Sequence, residues 1–66
     1  MPKLTVWKEI ITQWEGRVIT GSYAYEDRMV IVRTSRGQKA ARLRKGMNEI
    51  WLAGQLLSEL ASEGKV

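Results

Sequence analysis

Residues 15–32 read EGRVITGSYAYEDRMVIV, and the parsing of this stretch decides the fold. Twice, at Glu15-Gly16 and at Glu26-Asp27, a polar pair interrupts residues that favour strands. Gly16 supplies the positive φ that a two-residue hairpin loop demands. The stretch therefore predicts strands over 17–25 and 29–34, joined as a meander. Gly21 inside the first of these marks a bulge or the close approach of another element.

Working outward, residues 5–14 carry two signals. Leu4, Trp7, Ile11 and Trp14 are spaced 3-4-3, as a helix would have them. The β-branched Thr5, Val6, Ile10, Ile11 and Thr12, with two tryptophans, argue for a strand, and that reading is preferred. Downstream, Ser35-Arg36-Gly37-Gln38 reads as a turn and 39–44 as a fourth, weaker strand. The period then changes. Asn48 is a good N-cap, Glu49 suits the positive end of a helix dipole, and Met47 and Leu52 occupy the positions of a hydrophobic staple. With Gly64 as the residue beyond the end, a helix is predicted over about 49–63. The fold class that follows is α+β: a four-stranded antiparallel β-meander with one C-terminal α-helix packed on one face, forming a single domain over 1–66.

Two-residue loops at Glu15-Gly16, Glu26-Asp27 and Arg36-Gly37 set a register, and register assigns faces. Val6 then pairs with Tyr25, Ile10 with Gly21 and Thr12 with Ile19. Tyr23 pairs with Val30, Gly21 with Val32, Val32 with Ala41 and Val30 with Leu43. One face collects Val6, Ile10, Ile19, Tyr23, Val30, Val32, Ala41 and Leu43, with Lys8 as a misfit near an edge. Ile50, Leu52, Ala53, Leu56, Leu57 and Leu60 form the helical arc that covers it. Trp51 falls outside that arc. The other face of the sheet mixes Trp7, Ile11, Val18, Met29 and Ile31 with polar and basic residues, and a single helix cannot cover both faces.

The chain has 66 residues, with 11 Lys and Arg against 7 Asp and Glu, no cysteine and no histidine. So small a domain buries a low fraction of its surface, and neither disulfides nor a zinc site can reinforce it. The remaining aids are unusually good packing or self-association, and a homodimer is expected. Its candidate interface residues are Trp7, Ile11, Met29 and Ile31 on the open sheet face, or Trp51 on the outer side of the helix.

No acidic residue occurs between Asp27 and Glu49, where Arg28, Arg33, Arg36, Lys39, Arg42, Arg44 and Lys45 lie. On the register above, Arg33, Arg42 and Arg44 converge on the open face with Lys39 and Lys45 nearby. Arginine pairs with phosphate and Trp7 offers a stacking platform, so single-stranded nucleic acid, or an acidic protein, is an alternative partner. The competing explanation is that charge blocks aggregation at an edge strand. Nothing resembles a nucleophile with its base, a phosphate-binding glycine loop or a metal-ligand cluster. The expected function is thus non-enzymatic, with no cofactor, metal or small-molecule ligand. No apolar run approaches the ~20 residues that span a membrane, and the N-terminus lacks a secretory h-region. A cytoplasmic location is expected, in keeping with the absence of cysteine.

The segment WEGRVITGSYAYEDRMVIVRT, a short basic strand and LAGQLLSELASEG together resemble a group of small uncharacterised bacterial proteins. These share an EGR-x-ITGSY hairpin, a strand of alternating valines and a C-terminal helix ending in L-x-E-L-x-x-EG. The resemblance covers roughly Trp14 to Gly64 and implies the hairpin and the helix. It implies no activity, and the basic stretch Gln38 to Lys45 departs from the group's pattern. At the level of element order alone, four strands followed by a helix is similar to the Pur-type single-stranded nucleic-acid binders, none of whose sequence motifs is matched.

Overall fold

The computed structural model describes residues 5–66. Leu4, which the helical spacing invoked, lies outside them. Four strands, β1 (Lys8–Trp14), β2 (Arg17–Glu26), β3 (Met29–Arg33) and β4 (Gln38–Arg42), form one antiparallel sheet in the order β1-β2-β3-β4. Helix α1 (Glu49–Ser62) follows. The predicted α+β architecture is the observed one, with 8–14 a strand rather than a helix. The strand starts later than residue 5, and β4 ends two residues before Arg44.

The first hairpin has the expected register, with Ile10 opposite Gly21 and Thr12 opposite Ile19. Glu15 (φ 49°) and Gly16 (φ 75°) both take positive φ, as a type I′ loop requires. The second hairpin departs from expectation. Its loop is Asp27 (φ 51°) and Arg28 (φ 62°), so Tyr23 pairs with Val32 and Tyr25 with Val30. Either parsing places Asp27 in the loop; the observed one puts it at the first loop position, where type I′ turns favour Asp or Asn, and so moves the turn on by one residue.

The third connection also departs. It spans 34–37, between the paired Arg33 and Gln38, so Val30 faces Ala41 and Val32 faces Lys39. Thr34 is the cause. Its Oγ1 accepts hydrogen bonds from the amides of Arg36 (3.2 Å) and Gly37 (3.1 Å), and its own amide donates to the Gly37 carbonyl at 2.8 Å. Local bonds of this kind compete with a strand ladder and end β3 early. Each of the two slips is two residues in register, so the assignment of faces survives while the neighbours along each face change.

The inner face places Ile10, Ile19, Tyr23, Val30 and Val32 under Leu52, Ala53, Leu56, Leu57, Leu60 and Ala61, all buried. Trp14, Ala41, Leu43 and Met47 pack around them, half-buried. Each large aliphatic side chain so covered contributes about 1.5–3 kcal/mol against the entropy of ordering it. Two predicted members of the core are not in it. Val6 precedes β1 and is 68% exposed, having no ladder partner to hold it under the helix. Ile50, although on the apolar arc, is 56% exposed, because the first helical turn lies at the sheet margin formed by β1.

Both helix ends are closed by local bonds. The Asn48 side chain accepts from the amides of Ile50 (2.7 Å) and Trp51 (3.2 Å). At the other end Gly64 (φ 74°) donates to Ala61 and Lys65 donates to Leu60, the paired bonds of a Schellman motif. Thr34 Oγ1 donates to the Lys65 carbonyl, tying the β3–β4 turn to the segment after the helix.

At Gly21 the helix packs close on the sheet. A Cβ built there would meet the Arg33 carbonyl oxygen at 3.1 Å and Leu57 Cδ1 at 3.2 Å. Gly21→Ala is expected to destabilise the fold by about 1–3 kcal/mol through forced separation of helix and sheet, read from the denaturant midpoint. Arg28→Gly should act the other way. It relieves a left-handed non-glycine residue and creates the Asp-Gly pair that type I′ loops prefer, raising stability by up to about 1 kcal/mol in the same assay.

Candidate interaction surface

The outer face of the sheet is built around a contact between two of the candidate residues. Trp7 leads into β1, and the β1–β2 register, continued by one position, sets it opposite Ala24. Ala24 is on the outer face and yet only 1% exposed, and it pairs with Ile31 of β3. The Arg33 guanidinium lies 4.1 Å from the centroid of the Trp7 ring. Trp7, Ala24, Ile31 and Met29 thus form a thin second apolar layer that is partly closed without a partner. A base stacking on the Arg33 side of Trp7 would have to displace a cation–π contact worth roughly 0.5–2 kcal/mol.

The basic residues do not converge as the sequence register implied. Arg33 faces Gln38 at one end of the β3–β4 hairpin, and Arg42 faces Met29 at the other. Four positions of extended chain separate them, roughly 13 Å. Lys39 is on the opposite side of the sheet altogether. It pairs with Val32, under the helix, and its ammonium bonds to Glu59 (3.1 Å) and to Glu63. Arg44 and Lys45 gather elsewhere, with Arg28, around the ring of Tyr25 in a shallow concavity closed by Leu43 and Met47. Tyr25 is 47% exposed, and no ion pair among the described residues engages Arg28, Arg44 or Lys45. The expected register sets Arg28 opposite both Tyr25 and Lys45, but on the face the helix covers, so neither Arg28 nor Tyr25 stands out as a site residue from the sequence.

A different feature occupies the β1 side. Ile11, Ile50 and Trp51, exposed by 57%, 56% and 58%, line one shallow groove with Gly54 and Ser58. Ile11 projects from the outer face of the sheet, whereas Ile50 and Trp51 come from the helix on the inner face. The backbone of β1 runs between them. Three large apolar groups therefore straddle a free strand edge. Trp51 and Ile11 were expected to be available for contact, but on separate surfaces; Ile50 was expected in the core.

Among the described residues no group of His, Cys, Asp and Glu is arranged to hold a metal ion, and no helix is long and apolar enough to cross a membrane. No protein-family model, curated protein or solved structure matches the chain. The resemblance to the small bacterial group remains an expectation carried by the motifs themselves.

The Lys39 clamp makes a pH prediction. The hydrogen bonds that Lys39 donates to Glu63 and then Glu59 hold the ammonium above its ordinary pKa, and the one it donates to Glu63 holds that carboxyl below its own. The Glu63 contribution is present above the ordinary carboxylate pKa and is lost as pH falls through the lowered value. The Lys39 contribution is present below the ordinary lysine pKa and is lost as pH rises through the raised value. Lys39→Gln should therefore lower Tm slightly between about pH 5 and 10, with the difference from wild type shrinking outside that window. Thermal melts of both proteins across pH measure it.

Proposed function

We propose that this protein is a small non-enzymatic interaction module that works as a homodimer. The observation that carries the reading is the set of three large apolar side chains, Ile11, Ile50 and Trp51, each more than half exposed and gathered on one groove. Solvated apolar groups scattered singly are ordinary, but a contiguous group beside an open strand edge is what interfaces use. Trp in particular is enriched at their centres. The small size of the domain adds to the case, since association supplies the burial that 66 residues lack. Size-exclusion chromatography with light scattering is expected to give a mass that rises with concentration and approaches twice the chain mass well above the micromolar range. Trp51→Glu should return the monomer mass while leaving the far-ultraviolet circular dichroism spectrum intact. A wild-type monomer at every concentration would overturn the proposal.

A second reading, single-stranded nucleic-acid binding, is favoured by one arrangement: Arg28, Arg44 and Lys45 around the exposed ring of Tyr25. Cations beside a stackable ring are the elements of such sites. Three phosphate contacts would reduce affinity by about two decades over a tenfold rise in salt. Replacing Arg28, Arg44 and Lys45 by Gln should flatten that slope, whereas Arg33→Gln with Arg42→Gln should leave most of it. Fluorescence anisotropy of a labelled oligonucleotide separates the two sets. An absence of binding at low salt removes this reading.

A further inference from the structure

We propose that two copies join edge to edge through β1, antiparallel about a two-fold axis at Ile11. Their four-stranded sheets become one continuous sheet, and the N-terminal halves of the two helices meet above the junction. This rests on the homodimer reading and specifies how the copies meet.

The hydrogen-bonding parity of β1 follows from its hairpin. Trp14 and Arg17 flank a two-residue type I′ loop and so form a hydrogen-bonded pair. Pairs then alternate along the ladder, so Trp14, Thr12, Ile10 and Lys8 direct their amides and carbonyls toward β2. The corresponding groups of Glu9, Ile11 and Gln13 point away from the sheet. β1 is an edge of the sheet, and among the described residues no strand lies beside this row. Such a row is a template for a further strand.

The strand is self-complementary when antiparallel. A two-fold axis at Ile11 pairs Ile11 with Ile11, Ile10 with Thr12, Glu9 with Gln13 and Lys8 with Trp14. All seven positions are then paired, the outward-pointing groups of Glu9, Ile11 and Gln13 meet those of Gln13, Ile11 and Glu9 in the second copy, and no like charges face each other. Moving the axis to Ile10 or to Thr12 preserves the parity but leaves two residues at one end of the strand unpaired. The helix flank above the junction is uncharged, with Ile50, Trp51, Gly54, Gln55 and Ser58. Its small residues Gly54 and Ser58 allow a second helix to approach.

Two other modes of association bury less of the same patch. Stacking of outer sheet faces covers Ile11 but leaves Ile50 and Trp51 in water. Helix-to-helix docking covers Trp51 but leaves Ile11 in water. Edge pairing alone covers both, because the patch straddles the strand. The opposite edge is unsuited to this role: β4 has five residues, includes Lys39 and Arg42, and is clamped to the helix by Lys39. Roughly a dozen residues from each copy would take part, below the 20–30 of a standard interface, so dissociation in the micromolar range is expected.

Hydrogen exchange on the wild-type protein tests the pairing without any substitution. Amides of Glu9, Ile11 and Gln13 should gain protection as concentration rises through the dimerisation range, whereas Ile10 and Thr12 should be protected throughout. A cysteine-free chain also permits single-cysteine crosslinking. Ile11→Cys should oxidise readily to a covalent dimer, since facing residues of a hydrogen-bonded pair sit about 5.5 Å apart, within disulfide range. Gln13→Cys should not, because its two copies lie several positions apart along the paired strands. Ile31→Cys reports outer-face stacking instead. A dimer by light scattering in which the 9, 11 and 13 amides exchange freely, or which crosslinks through Ile31 and not Ile11, overturns the strand pairing but preserves the homodimer. A monomer at all concentrations overturns both.

Discussion

Leu57 rests over Gly21, and the closeness of that approach governs the remainder of the structure. A methyl group at Gly21 would intrude on both the Arg33 carbonyl and the Leu57 side chain. With only hydrogen there, Leu56, Leu57 and Leu60 settle onto Val30, Val32 and Tyr23 with no buried polar side chain among them. The helix crosses the sheet rather than lying along one strand. A Cβ built on Gly54 would lie 4.0 Å from Thr12 Oγ1 of β1, Leu57 sits over Gly21 of β2, and Glu59 and Glu63 reach Lys39 of β4.

That crossing produces two unlike edges. At the β4 side the helix ends in charge, and its carboxylates hold Lys39 while Thr34 binds the backbone beyond the C-terminus. The edge is short and basic, a form that discourages further strand addition. At the β1 side the first helical turn reaches the margin of the sheet, so Ile50 and Trp51 keep their apolar character with nothing beneath them to complete burial. The free edge of β1 runs between these groups and Ile11. An unprotected strand edge flanked by apolar side chains on both sides invites a strand, whereas charge at β4 repels one.

Much of the fold was legible in residues 15–32 because turn chemistry and strand propensity agree there. Gly16 and a β-branched run on either side specify a hairpin with little ambiguity, and Asn48 and Gly64 bound the helix by local hydrogen bonding alone. The register of the second and third connections was not legible. Glu26-Asp27 and Asp27-Arg28 are both polar pairs, and Thr34 is a strand residue by propensity until its hydroxyl engages the turn amides. Each error is two residues, which left the faces correct and moved the basic residues along them. For that reason Arg42 moves from opposite Ile31 to opposite Met29 and its expected convergence with Arg33 dissolves, while Arg28, Arg44 and Lys45 line a concavity with Tyr25.

The amino-acid sequence by itself determined the element types, the two faces of the sheet and the apolar arc of the helix, because each depends on local periodicity and capping. Only the tertiary structure decided which apolar residues stay wet. Ile50 lies on the same arc as Leu57, within about 20° of it about the helix axis, and differs from it chiefly in height along that axis. Whether a side chain at that height finds sheet or solvent beneath it depends on where the helix crosses the last strand, and that is a property of packing between elements rather than of any one of them.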